Sequence, residues 1–112
     1  MPELVWSDRF DADVQTIYGW LEERGEGSGD VFYRHLLLDL NQLARYPWSG
    51  SRIKSSNARH LLVVERQYAA IHTVENRGII LQTLFDQRRD PDVLARLVRE
   101  ITGGLTGPPS AS

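Results

Sequence analysis

From Arg59 to Phe85 the chain carries three short runs of period-two hydrophobicity, joined by links too short for any crossover. Leu62 and Val64, then Ala69 and Ile71, then Ile79 and Leu81 are the apolar alternates of the runs Arg59–Glu65, Tyr68–Val74 and Ile79–Phe85. Parallel strands need a connection of about a dozen residues or more, whereas Arg66–Gln67 and Glu75–Gly78 leave room only for hairpins. Asn76 and Gly78 suit the positive φ of such a turn. The segment therefore reads as an antiparallel meander, and its apolar face needs a second layer to cover it.

The cover lies upstream. Phe10, Val14, Ile17, Tyr18 and Leu21 recur at helical spacing, with Asp13, Gln15, Glu22 and Glu23 expected to face outward. Ser7 is placed as the N-cap, and Asp8 and Asp11 sit where the helix dipole favours negative charge. The helix should stop in Arg24-Gly25-Glu26-Gly27-Ser28-Gly29. That run follows no strand and lacks the Lys-Ser/Thr ending of a phosphate loop, so it reads as a helix–helix connection. A second helix should start near Ser28 or Asp30, with Phe32, Tyr33, Leu36, Leu37, Leu40, Leu43 and Ala44 as its stripe and Pro47 ending it. Trp48 to Asn57 reads as a loop too polar to pack, and Glu3 to Trp6 as an edge strand. Asp90-Pro91-Asp92 should cap a last helix with Leu94, Leu97, Val98 and Ile101 on its inner face. The expected class is α+β: an N-terminal strand, an antiparallel helical hairpin packed on a mainly antiparallel twisted sheet, and a C-terminal helix. Residues 1–102 form one domain in this reading, and 103–112 a flexible tail.

The absence of cysteine excludes disulfides, thiolate nucleophiles and zinc–thiolate sites. The three histidines are scattered without a His-x-x-x-His pattern, so neither a metal nor another cofactor is expected. No apolar run approaches the ~20 residues that span a bilayer. The first residues carry no secretion signal, and a cytoplasmic protein without membrane contact is expected.

Charge is unevenly spread. Residues 1–30 hold eight carboxylates against two arginines, whereas residues 31–90 hold nine basic side chains against five acidic ones. The first helix is thus acidic and the sheet region basic. Arg88 and Arg89, directly after the last strand, would hold positive charge rigidly at a sheet edge, where a phosphate or an acidic surface is the natural target.

These features stand in a recognisable order. Val5-Trp6-Ser7 opens into the first helix, which holds Ile17-Tyr18-x-Trp20-Leu21. Leu43-Ala44-Arg45-Tyr46-Pro47-Trp48-Ser49-Gly50 ends the second helix, and Arg59 enters the meander. Tyr68-Ala69-Ala70-Ile71-His72 and Phe85-x-x-Arg88-Arg89-x-Pro91 complete the set. Over roughly residues 3–91 the chain resembles the RelE/ParE superfamily of type II toxin–antitoxin toxins. RelE-like members are ribosome-dependent mRNA endonucleases; ParE-like members inhibit DNA gyrase and are not nucleases. Both are silenced by an antitoxin whose C-terminal segment wraps the toxin.

The resemblance implies a growth-arresting, stress-response toxin in a hetero-oligomer with its cognate antitoxin. For a nuclease working on the ribosome and mRNA, Lys54, Arg59, His72 and Arg88 would carry catalysis. RNA cleavage needs a base, an acid and cations around the phosphate. Asp86 and Gln87 stand where some nuclease members have histidine or tyrosine, so the acid/base pair is incomplete. His72 is the remaining base, and as a mid-strand residue it reads first as a packed histidine. The Pro47-Trp48-Ser49-Gly50 turn and the Arg88-Arg89-Asp90-Pro91 ending resemble the ParE-like, non-enzymatic branch more closely. Gyrase binding would fall to Arg52, Lys54, Arg59, Arg88 and Arg89. The bland alternative for Arg88-Arg89 is a salt bridge with Asp86, Asp90 or the first helix. Trp20, Phe32, Leu38 and Trp48 exceed what the stripes need and are the expected antitoxin anchors. A degenerate, non-toxic antitoxin-binding module and a small RNA-binding domain remain as further readings.

Overall fold

The computed structural model describes residues 3–53, 56–76 and 78–89, together with 96 and 99. The expected last helix (with Leu94, Leu97, Val98 and Ile101), the tail 103–112 and Lys54 lie outside the described residues.

Strand β1 (Glu3–Trp6) leads into α1 (Asp8–Arg24) and α2 (Ser28–Arg45). A two-residue β2 (Ser51–Arg52) follows, then β3 (Ala58–Val63), β4 (Tyr68–Glu75) and β5 (Gly78–Asp86). The strands form one mixed sheet in the order β1-β5-β4-β3-β2, with β1 at its edge. The β1–β5 pair is parallel and the rest are antiparallel, so the expected α+β class and meander are present. Apart from β2, the element order and layering over the described residues are those the sequence predicts.

Helix α1 is tied to the sheet at a bulge. Ile71 pairs with Thr83 and His72 with Leu81, so Gln82 is an extra residue in β5. Ser7 Oγ donates to the Gln82 carbonyl at 3.0 Å and accepts from Phe10 N at 3.0 Å, capping α1 as expected. Where β1 ends, Asp13 takes its place: its Oδ2 accepts from Leu84 N at 3.0 Å and from Thr83 Oγ1 at 2.6 Å. Asp13 therefore does not face outward as the helical pattern suggests. It satisfies strand groups that the short β1 cannot reach.

Phe10 and Val14 of α1 and Phe32, Leu36, Leu40 and Leu43 of α2 pack on Val63, Tyr68, Ala70, Ile79, Leu81 and Leu84 of the sheet. Trp6 closes one edge, its ring centroid 5.0 Å from Phe10 and 6.4 Å from Tyr33 in edge-on geometry. Tyr33 and Leu37 lie outside the buried arc, at 37% and 38% exposure, so the stripe of α2 is narrower than expected. Successive strand residues point to opposite faces. Ile71 accordingly joins Ile53 and Ala58, with Phe85, in a second cluster away from Ala70. The segment 48–57 thus does pack: it contributes β2 and the buried Ile53. Leu62 stays half-buried, and Val64, beyond the end of β3, joins the helix-side core rather than a shared strand face.

Two turns carry more structure than their sequences suggest. Val64, Glu65 and Arg66 all adopt left-handed backbone, with φ of 55°, 57° and 66°. Each such residue costs ~1–2 kcal/mol. Asp39 Oδ2 offsets part of this by accepting from Val64 N at 2.8 Å, and Gln87 Nε2 donates to the Arg66 carbonyl at 2.9 Å. In the glycine-rich connection, Glu22 accepts from Gly27 N at 3.2 Å and Gly29 N at 2.7 Å. Glu22, also expected to face outward, fills the place a bound phosphate would take at this helix start.

Candidate functional site

Helix α2 ends at Arg45 because Pro47 cannot continue it. The chain then turns through Tyr46, Pro47, Trp48 and Ser49, and Gly50 takes a φ of +88°. With its carbonyl aimed at β3, Gly50 accepts from Arg59 Nη1 at 3.0 Å. Arg59 stands in register with Arg52 on β2, and its guanidinium lies 5.6 Å from the centre of the Trp48 ring. Arg52 Nε donates to the Ser56 carbonyl at 3.3 Å. Both guanidiniums thus meet neutral carbonyls, and among the described residues neither forms an ion pair. Trp48, Arg52, Asn57, Arg59 and Val74 enclose a recess of about 200 Å³. Trp48 also lines a wide hollow of about 470 Å³, together with Arg45, Tyr46, Pro47 and Ser49. Tyr46 is 58% exposed and Trp48 63%. No described carboxylate lines either hollow.

His72 lies directly behind this strip, in register with Arg59. It is fully buried, and Nε2 sits 3.3 Å from the Pro47 carbonyl. That contact requires Nε2 to carry the proton. Nδ1 is then a buried lone pair with no hydrogen-bond partner among the described residues. Burial pushes the imidazole below its ordinary value; the Pro47 carbonyl acts in the opposite sense, and the Arg59 charge reinforces burial. His72 is packed in the core, with its Nε2 held at the Pro47 carbonyl.

A second group of cations lies four residues along β4, about 13 Å away at ~3.3 Å per residue. Arg88 chelates Asp86: Nε to Oδ1 and Nη2 to Oδ2 are both 3.1 Å, and the Arg88 amide adds a bond of 2.9 Å. Burial raises the Asp86 carboxyl, but the Arg88 hydrogen bonds and the charges of Arg88 and Arg89 bring it below its usual value. Arg89 lies over Trp20 at 4.5 Å and Arg24 over the same ring at 3.6 Å. Thr16, Ile17, Trp20, Tyr68, Asp86 and Arg89 line a cleft of about 110 Å³ there. Burial, followed by the charge of Asp86, pushes the Tyr68 hydroxyl up.

The sequence-derived residues sort accordingly. Arg52, Arg59 and Trp48 come together although they were assigned to different partners. Arg88 is occupied by Asp86, the structural reading that the sequence already offered. Phe32 is corrected: at 3% exposure it is core, packed on Tyr68 at 5.2 Å, and cannot anchor a partner. Its place in the stripe with Leu36, Leu40 and Leu43 was the signal. Trp20 is half-buried beneath two guanidiniums, and Leu38 is 63% exposed on α2. Sequence reasoning missed Arg45 and Tyr46 as site residues. Their signal was the alternation Arg45-Tyr46-Pro47-Trp48, cation beside ring, at a helix end.

Among the described residues there is no group of side chains that could hold a metal ion, and no helix long and apolar enough to cross a membrane. No protein-family model and no curated protein matches the sequence. A solved chain described as the chromosomal ParDE toxin–antitoxin system from P. aeruginosa shares the fold. The TM-score is 0.67 at 17% identity, over 77% of this chain and 96% of that one. At that identity the likeness is one of fold.

Proposed function

We propose that the chain is the toxin of a type II toxin–antitoxin pair, held silent by a cognate antitoxin, and that it arrests growth by inhibiting DNA gyrase. The likeness to a ParDE-system chain across nearly all of that chain's length supports the toxin reading. One observation favours gyrase over RNA cleavage: His72, in register with Arg59, is sealed in the core with its Nε2 at Pro47, and His60, next to Arg59 in β3, alternates to the opposite face of the strand. A base must reach the hydroxyl it deprotonates, and His72 cannot do so without opening the sheet–loop contact. Inhibition by binding needs no acid/base pair. Arg52 and Arg59 are the target contacts this reading favours, with Arg89 next. Leu38 and its half-exposed neighbours on α2 would receive the antitoxin.

The test is a pulse-labelling time course after inducing the protein alone, with thymidine and methionine incorporation followed in parallel. The proposal expects DNA synthesis to fall first and purified protein to block gyrase supercoiling. An early fall in methionine incorporation, with gyrase unaffected, would replace it with the mRNA-cleaving reading. Unimpaired growth would leave a non-toxic antitoxin-binding module.

A further inference from the structure

We infer that the cleft between α1 and the end of β5 binds a small free carboxylic acid with a compact apolar body. Ile17, Trp20 and the ring of Tyr68 supply its apolar walls, and Thr16, Asp86 and Arg89 its polar groups. Tyr68 is 3% exposed, yet its hydroxyl makes no hydrogen bond among the described residues. A hydroxyl at the end of a buried ring, without a protein partner, is available to a ligand in the cleft. Burial, then the Asp86 charge, pushes this hydroxyl up, so at neutral pH it keeps its proton and donates. The guanidinium of Arg89 rests 4.5 Å from the centre of the Trp20 ring and, among the described residues, forms no ion pair and donates no hydrogen bond. Its planar fork matches a carboxylate. Asp86 does not cancel it, because Arg88 chelates both Asp86 oxygens. Asp86, Arg88 and Arg89 together leave one net positive charge beside apolar walls. The cleft holds about 110 Å³. A cavity of ~150 Å³ takes benzene, so a branched body of about four carbons behind the carboxylate fits that room.

Other ligands fit less well. A cation would need Asp86, whose two oxygens are held by Arg88 and which shares the cleft with Arg89. A phosphate would set a strongly hydrated anion against walls that are mainly apolar. The end of a polypeptide carries the same groups as a small acid, but its backbone would seek strand hydrogen bonds on the β5 edge beside the cleft. Asp13 already takes the Leu84 amide and the Thr83 hydroxyl at that edge. Neither gyrase nor an antitoxin takes part, so failure of the toxin reading leaves this ligand site standing.

The experiment is a proton–nitrogen correlation NMR titration of the full chain with isovalerate at neutral pH, in a buffer without carboxylate. Saturable shifts are expected at the Trp20 indole, Ile17 and Arg89, with the Trp48 indole unmoved. The Kd should fall at about 0.1–10 mM, the range open to a ligand of so few atoms. Arg89→Gln and Tyr68→Phe each remove a donor to a charged group and should weaken binding by about 10- to 100-fold. Arg34→Gln, an exposed charge of α2 outside the cleft, should leave affinity within about twofold. Acetate lacks the apolar body and should bind at least about tenfold more weakly. Isoamyl alcohol, which lacks the charge, should bind more weakly by a similar factor. Spectra of each variant away from the cleft check that the fold is retained, and the comparison of ligands needs no variant. Absence of saturable shifts up to about 50 mM, several times the weakest expected affinity, would overturn the inference. Unchanged affinity in folded Arg89→Gln would overturn it too, as would equal binding of acetate or inorganic phosphate. Tighter binding of N-acetylleucine than of isovalerate would overturn the free acid in favour of a polypeptide end.

Discussion

The imidazole of His72 reaches from the middle of β4 to the carbonyl of Pro47, 3.3 Å away, and so ties the turn after α2 to the sheet. Because this ring is buried, its protonated form is disfavoured in the folded chain and its value lies below the ordinary 6.5. The unfolded chain therefore binds a proton more readily than the folded one. Stability is intact above pH 6.5 and falls as the pH drops through 6.5 toward the lower folded value. The loss is at most about 1.4 kcal/mol per pH unit. Thermal melts between about pH 7 and pH 5 should show it, and His72→Gln, which keeps an N–H donor but does not titrate, should flatten the dependence. Asp86, held below its usual 3.8, contributes only at lower pH. An unchanged slope in the Gln variant would place the acid sensitivity elsewhere.

Gly50 is the other fixed point of this turn. A Cβ there would stand 2.5 Å from the His60 carbonyl oxygen, and the φ of +88° is strained for any other residue. Gly50→Ala should destabilise the chain by roughly 1–3 kcal/mol. It should also move the carbonyl that orients Arg59, so the emission of Trp48 should shift even in the folded variant. Chemical denaturation and tryptophan fluorescence together check both effects.

The Arg88–Asp86 chelate is partly exposed, with the arginine side chain at 54%. Exposed pairs contribute ~0–1 kcal/mol, so Arg88→Glu should leave the fold intact while reversing the charge at the end of β5. If gyrase binding drew on this arginine, supercoiling inhibition would fall sharply in that variant. Its occupation by Asp86 leads us to expect a smaller loss than for Arg59→Glu, measured side by side.

The meander, the helical hairpin and the Ser7 cap were legible because each rests on a local signal: period two, period 3.6, and a hydroxyl before a helix. Asp13 and Glu22 were misread because hydropathy periodicity places a carboxylate outside regardless of any backbone group waiting for it. The 48–57 segment was misread for a related reason, since Ile53 alone among polar neighbours gives no periodicity, yet it fills the far face of the sheet beside Ile71. The cations were found as residue types, but their grouping was not. Only register, Arg59 opposite both Arg52 and His72, separates them from Arg88 and Arg89.

Asp13 gives that misreading a measurable consequence. Its Oδ2 accepts from both Leu84 N and Thr83 Oγ1 at the point where β1 stops. Asp13→Ala would leave a strand amide and a buried hydroxyl unpaired, at a cost of ~1–3 kcal/mol, whereas Asp13→Asn keeps an acceptor and should cost less. Hydrogen exchange at Leu84 should accelerate in the Ala variant well before global unfolding does. Protection unchanged from the parent would mean that the cap contributes nothing.

Phe32 and Leu38 separate packing from partner binding on the same helix. Phe32, 3% exposed against Tyr68, lies in the core, and Phe32→Ala should cost ~3–5 kcal/mol. Leu38, 63% exposed, touches little of the fold, and Leu38→Ser should change stability by no more than about 0.5 kcal/mol. If α2 receives the antitoxin, the order reverses in a binding assay: Leu38→Ser loses affinity, by about 2 kcal/mol for a central anchor, with the melting temperature unchanged. Titration calorimetry against the proposed antitoxin, paired with thermal melts of the free chain, reads both quantities. Full affinity in Leu38→Ser would move the antitoxin surface off α2, toward the Trp20 corner where Arg24 and Arg89 share one indole.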